Sequence, residues 1–473
     1  MDTETDIEQP ELVENSQSGV VNQNGQPAKA KAAAEPQDLL ARAKAVLADN
    51  NQDGFTLPAR DIYPHQWLWD SCFIAIGLSH YDLKRAQAEI TSLLAGQWAN
   101  GMLPHMILRT SDRNASDARM WRSWLNPQAP DDILTSGITQ PPMLAEAITR
   151  IGENLNPGER KDWYKTIFPA LLAYHQWLYA ERDPSAIGLI LQIHPWEIGL
   201  DNTPPSMDEL HTNLMPSWLK IGHKIRLENL INLLRRDLKS IPKDQRLSAF
   251  DDVGLYVLQR RLSRQHYDID KVLNSRGFKL EDLTFNCIFI RANQLLKTIA
   301  AEIGESLPAN MTRQIDLSQT ALEALWDETS QEYFSRNFTS RELIKISTVA
   351  ALMPLYAGCA PKDHLEKIVH MLENDHNYGP AWPVPSVPIS SEWFKRQDYW
   401  QGPTWLNTNW LIIDGLKRAG YADHAAALTE NTLELVEKSG FYEYFDPISG
   451  EPAGINNFSW TAALTIDLLE NKP

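Results

Sequence analysis

Apolar residues return at three- and four-residue spacing through nearly the whole chain from Pro36 onward, and this periodicity limits the fold more than any other feature. The segments 38–49, 65–79, 82–96, 138–151, 160–181, 282–303, 307–327, 344–357, 361–373, 404–419, 422–438 and 457–470 carry apolar residues at the helical period. Alternating runs of the β type are scarce. The helices pair through short steps such as 420–423, whereas the long connections 97–134, 183–206, 374–403 and 439–456 hold the unusual residues. About a dozen helices in consecutive hairpins, with chemistry gathered in the loops at one end, is the pattern of an all-α (α/α)6 toroid with long catalytic loops. An α-solenoid is the competing topology, but no fixed repeat period is visible.

Composition then sets the boundaries. At 473 residues, 43% of them hydrophobic, the chain can bury one large core or two ordinary ones. Residues 1–36 lack the apolar content to offset ordering entropy and read as a disordered acidic and polar tail. Residues 37–473 read as one catalytic domain with a more charged insertion at about 206–280. That insertion either adds helices over the pocket mouth or is an ordinary solvated excursion. No apolar run reaches the roughly 18 residues that span a bilayer. The N-terminus lacks the basic and apolar regions of a secretory signal. Cys72, Cys287 and Cys359 show no metal-ligand spacing. We therefore expect a cytoplasmic protein without a metal or cofactor. A net charge of −17 argues against nucleic acid or an anionic membrane as a partner. It leaves an anionic small substrate open, provided local arginines overcome the global field, and it leaves self-association open.

The site signal lies in where the 16 tryptophans fall. Structural tryptophans usually occupy the apolar face of an element, yet here many sit beside carboxylates, prolines or glycines. Examples are YPHQWLWDSCF (63–73), HPWEIGLDN (194–202), YWQGPTWLNTNW (399–410) and FSW (458–460). Indole faces stack on the C–H face of a sugar ring, and a carboxylate accepts hydrogen bonds from vicinal hydroxyls, so Tyr63, Trp67, Trp69 and Asp70 together suggest a carbohydrate pocket. The ordinary alternative makes both tryptophans core residues and Asp70 a helix-start cap. Trp196, Gln401 and Trp460 join the pocket candidates from the other segments.

Chemistry at an anomeric carbon needs one protonated carboxyl for the leaving oxygen and one ionised carboxylate to activate water or attack directly. Asp201 fits as one of the pair because Gly199 and the 202–205 stretch force a turn that displays it, with Trp196 as an apolar neighbour. Glu197 competes for the acid role within the same motif, and Asp201 as a turn or cap residue is the structural alternative. Glu443 sits among Phe441, Tyr442, Tyr444 and Phe445, where a carboxylate is costly unless it binds or reacts. Asp446, before Pro447 and Gly450, looks like turn chemistry.

WLWDSCF, TSGITQPP (135–142), HPWEIGLDN, YWQGPTWLNTNW and GFYEYFDPISGEPAGINNFSWTAAL (440–464) resemble, in order and approximate spacing, the mannosylglycerate and glucosylglycerate hydrolases grouped with glycoside hydrolase family 63. The resemblance covers roughly 55–200 and 282–470. It implies an (α/α)6 barrel in which Asp201 is the general acid and Glu443 the base that activates water, with inversion at the anomeric carbon. It further implies that Tyr63, Trp67, Trp69 and Asp70 hold the non-reducing sugar, that Gln140 is a polar pocket residue, and that Tyr399, Trp400 and Trp405 form an aromatic wall. Between 203 and 280 the chain departs from the pattern. The resemblance calls there for an arginine and a tyrosine on the glycerate carboxylate. Arg235 and Arg236 are the candidates, but Leu233 replaces the expected aromatic and no tyrosine follows closely. The resulting expectation is an inverting α-glycosidase that splits mannosylglycerate or glucosylglycerate, both compatible solutes, into hexose and glycerate. Its rivals are an α-glucosidase or α-mannosidase on neutral di- or oligosaccharides and a non-catalytic carbohydrate-binding toroid. A phosphorylase would need a cation beside the base, and in sequence the nearest to Glu443 is Lys438.

Overall fold

The computed structural model describes residues 38–216 and 241–471. Within them the twelve periodic segments all contain helix: α1 Leu39–Asp49, α2 Leu68–Ser79, α3 Leu83–Leu94, α4 Leu144–Glu153, α5 Pro157–Arg182, α6 Leu283–Ile303, α7 Ala309–Ala321, α8 Pro354–Ala357, α9 Lys362–Leu372, α10 Leu406–Arg418, α11 Ala422–Ser439 and α12 Ser459–Glu470. The strands among the described residues are two residues long and form four antiparallel ladders, with isolated bridges beside them.

Three boundaries differ from the periodicity, each for a local reason. Segment 138–151 is helical only from Leu144, because Pro141 and Pro142 cannot join a helix interior. Segment 307–327 leaves the α-helix at Ala321, and its last residues, Trp326–Asp327, pair with Glu332–Tyr333 as strands. In 344–357 no helix forms before Thr348, whose side chain caps a 3-10 turn at Val349–Leu352, and Pro354 opens the short α8.

Packing sorts the helices into two kinds. Every residue of α2 is buried, as are Ser459 through Leu468 of α12, whereas α3 buries only Ala86, Glu89, Ile90 and Leu93. A helix that is apolar on all sides belongs inside other helices, and one with a single apolar stripe belongs outside. The contacts agree: α2 packs on α4, α4 on α6, α6 on α8, α8 on α10, α10 on α12, and α12 back on α2. Helices α1, α3, α5, α7, α9 and α11 each lie against members of that cycle. Caps fix several entries, for example Asp82 on Arg85 N, Asn156 on Gly158 N and Glu159 N, and Asp282 on Phe285 N. In the insertion, a helix at Ala249–Arg264 packs on a short helix at Ser116–Trp121. No helix of the described residues is long and apolar enough to cross a membrane.

Candidate active site

Two loops set two carboxylates against one cavity. In the first, Pro195–Glu197 makes a 3-10 turn whose entry is held by His194: its side chain accepts from Trp196 N and its Nε2 meets the Leu255 carbonyl at 3.1 Å. Gly199 then bends the chain with φ of +80°, and a Cβ there would stand 2.7 Å from the Trp69 indole, so only glycine allows the loop to lie on that ring. Asp201 follows, half-buried and facing the cavity. Asn202 ties this loop to the next, accepting from Trp400 N at 2.7 Å on its side chain and from Gln401 Nε2 at 3.0 Å on its carbonyl.

In the second, the ladder of Tyr444–Phe445 with Pro452–Ala453 presents Glu443 just before its first strand. Oε1 accepts from the Tyr63 hydroxyl at 2.8 Å and from Arg246 Nη1 at 3.3 Å, and Oε2 accepts from Arg246 Nη2 at 2.7 Å and Ile455 N at 3.2 Å. Gly454 has φ of +73°, and a Cβ on it would sit 2.5 Å from Oε2, so this glycine makes room for the carboxylate.

Pro58, Tyr63, Trp67, Trp69, Asp70, His105, Gln140, Gly199, Asp201, Tyr399, Glu443, Phe458 and Trp460 line the cavity between the loops. Gln140 is fixed by accepting from Trp69 N at 3.4 Å. The Tyr399 hydroxyl donates to Asp201 Oδ2 at 3.3 Å. Tyr399 adopts a left-handed backbone with φ of +47°, a strained conformation for a bulky residue that aims its ring into the cavity. The protein walls leave little hydration for charge here. Burial pushes the Asp201 carboxyl up to about 7 and the Asp70 carboxyl well above the usual carboxylate range. Burial also lowers His105 to about 3, so its imidazole is neutral.

Of the other residues expected at the site, Trp400 and Trp405 lie behind the surface, fully buried and stacked on each other with ring centroids 3.7 Å apart, and Trp405 Nε1 donates to the Tyr399 carbonyl at 3.0 Å. They back the wall rather than form it. Gln401 lines an outer groove, and Trp196 lines an adjoining cavity that also reaches Asp201 and His105. Glu197 requires correction as a competitor for the acid role and as a pocket residue. It is 1% exposed, ion-paired with Arg182 at 2.8 Å, and accepts from Thr139 N and Ile193 N, so it locks the loop that carries Asp201. Arg235 and Arg236 lie outside the described residues.

Sequence reasoning missed Arg246. It is 7% exposed and meets Glu443 from a segment distant in sequence. A cation therefore does stand beside Glu443, although none nearer than Lys438 is visible along the chain. His105 was missed as well, and nothing in GMLPHMIL distinguishes it from a core histidine. The described residues contain no cluster of histidine, cysteine and carboxylate side chains arranged to hold a metal ion.

Residues 63–461 match the family model described as the mannosylglycerate hydrolase MGH1-like glycoside hydrolase domain. The chain belongs to this family. It is 36% identical to a mannosylglycerate hydrolase of Thermus thermophilus, over 90% of this chain and 99% of that one. It is 32% identical to a glucosylglycerate hydrolase of Mycolicibacterium hassiacum, over 92% and 98%. The crystal structure of a family 63 mannosylglycerate hydrolase from Thermus thermophilus, in complex with Tris and D-glycerate, superposes with a TM-score of 0.81 at 35% identity, covering 91% of this chain and 99% of that one. As a member of this family the chain is a glycoside hydrolase.

Proposed function

We propose that the protein hydrolyses mannosylglycerate or glucosylglycerate with inversion, Asp201 serving as general acid and Glu443 as general base. The observation that carries this reading is the contrast in one cavity between a carboxyl raised to about 7 by burial and a carboxylate in an ion pair with Arg246. The first can hold a proton near neutral pH, and the second, paired with a guanidinium, is placed to take one. In the reaction Asp201 gives its proton to the leaving glycerate oxygen as the anomeric C–O bond breaks. A water held by Glu443 attacks from the opposite face, forms the new C–O bond and passes its proton to Glu443. Tyr63, Trp67, Trp69, Asp70, Gln140, Tyr399 and Trp460 would hold the hexose, the indoles against its C–H face and the polar groups on its hydroxyls.

The cycle of α2, α4, α6, α8, α10 and α12, with a second helix outside each member, supports an (α/α)6 toroid as the frame. Residues 37–473 would then be one catalytic domain whose 206–280 insertion borders the pocket: Arg246, Leu247 and Asp252 line the cavity next to Asp201. The relatives' substrates, mannosylglycerate and glucosylglycerate, support a charged aglycone, and Arg246 supplies a buried cation beside the two carboxylates. A cytoplasmic enzyme that recycles a compatible solute fits these substrates. A screen of a dozen α-glycosides for free hexose tests the reading: release from glyceryl glycosides ahead of neutral disaccharides supports it, and faster cleavage of neutral disaccharides overturns it.

A further inference from the structure

A general base must accept a hydrogen bond from the water it activates, and Glu443 has nothing left to accept one with. A carboxylate offers about four lone-pair sites. Tyr63, Ile455 N and two Arg246 nitrogens already occupy that number of contacts on Glu443. Tyr63 comes from the loop before α2, and Ile455 faces Glu443 across the same hairpin, where the Glu443 amide also donates to the Ile455 carbonyl at 3.0 Å, so both are fixed by the fold. Arg246 is different. It sits on a polar segment, and its Nε has no partner among the described residues although it is buried.

The surroundings give the guanidinium a track. Its centre lies 5.8 Å from the Tyr63 ring and 5.0 Å from the Tyr399 ring, the two tyrosines that hydrogen-bond Glu443 and Asp201. Cation–π contact of this kind holds charge without fixing which donor points where. Next to it Gln245 is clamped to the Glu443 hairpin: its carbonyl accepts from the Tyr444 hydroxyl, and its side chain accepts from Gly454 N at 3.1 Å. The backbone of Arg246 is thereby anchored while its side chain borders two spaces, the cavity shared with Asp201 and the outer polar groove lined by Lys243, Lys395 and Gln401. Asp201 faces the leaving oxygen, so that border is the aglycone side.

We propose that Arg246 is a latch on the base: it holds Glu443 in a bidentate grip until an anionic aglycone draws the guanidinium away and frees Glu443 to accept the water. Resting on the charged-aglycone reading above, the inference makes the aglycone carboxylate a requirement for turnover and not only for binding. The release is an exchange of one carboxylate for another on a single guanidinium, for which the planar fork is suited and lysine is not.

The test uses an α-glycosyl fluoride, whose small leaving group leaves the aglycone side open, and reads free hexose with and without D-glycerate in the full chain. In the wild type, glycerate should raise kcat for the fluoride by about tenfold, a part of the roughly 10²–10⁴ that a general base contributes. In Arg246→Gln the fluoride should turn over faster than in wild type without glycerate, and glycerate should no longer accelerate it. Arg246→Lys, a variant that keeps the charge, should fall between the two, and melting curves check that each variant is folded. If glycerate only inhibits the wild type while mannosylglycerate or glucosylglycerate is hydrolysed, the latch is wrong and the proposed function stands. The latch also falls if Arg246→Gln loses kcat equally on fluoride and glyceryl glycoside, which marks Arg246 as a static support. If the wild type hydrolyses no glyceryl glycoside, both fall together.

Discussion

Among the described residues, Asp201 follows a glycine turn with a single hydroxyl, that of Tyr399, on its carboxyl at 3.3 Å, whereas Glu443 starts a strand ladder with a guanidinium, a phenol and a backbone amide on its oxygens. The two face the same cavity. What separates them is direct contact: burial raises Asp201 to about 7 against the Tyr399 hydroxyl and the Arg246 charge, whereas the Arg246 guanidinium is bonded to Glu443 itself. Glu197, four residues before Asp201, gives a third outcome, because Arg182 and two backbone amides satisfy it away from the cavity. One motif thus carries a carboxylate tied into the structure and another that faces the cavity.

The largest losses are expected at Asp201 and Glu443. Asp201→Asn and Glu443→Gln should each lower kcat by at least about a hundredfold while leaving the melting curve close to wild type, in line with general acid and base contributions. Retention of activity in either variant removes it from the mechanism. The next effect is on folding: Glu197→Ala should destabilise by about 3–5 kcal/mol, because it strands the buried Arg182 charge. Chemical denaturation measures this, and a cost below about 1 kcal/mol, that of an exposed pair, would contradict the structural assignment.

Titration sharpens the contrast further. With Asp201 protonated up to about pH 7, kcat/KM should fall tenfold per pH unit above that value. The Tyr399 hydroxyl favours the ionised form, so Tyr399→Phe should move that limb to higher pH. Stability follows the same sign. Between its ordinary value of 3.8 and about 7, Asp201 binds more proton in the folded than in the unfolded chain, so its contribution is full below that window and is lost as pH rises through it. Asp201→Asn should flatten the fall in melting temperature across that range. An unmoved limb in Tyr399→Phe would separate the tyrosine from the acid.

Much of this was legible in the chain because helical period and aromatic clustering are local. Trp67, Trp69 and Asp70 share one short segment, and Asp201 and Glu443 stand in turns that glycine announces. The roles of Glu197 and Arg246 were not legible, since each depends on a partner that only the fold brings close. Arg182 ends α5, and Arg246 reaches Glu443 from a stretch whose neighbours Lys243, Asp244 and Gln245 look like ordinary solvated surface. Trp400 and Trp405 show the opposite error, for a tryptophan beside glycine and proline can still be core. The smallest expected effect comes from the segment where composition alone speaks: deleting residues 1–36 should leave melting temperature and turnover nearly unchanged, and a drop of many degrees would show that they pack on the rest.

The most direct test of the acid and base assignment is the anomer released first. Proton NMR of the enzyme acting on α-mannosylglycerate, or on the glucosyl compound, should show the β-hexose and glycerate accumulating before mutarotation supplies the α-hexose, since water attacks opposite the leaving group. Initial release of the α-hexose would contradict a base-activated water and turn Glu443 into a nucleophile.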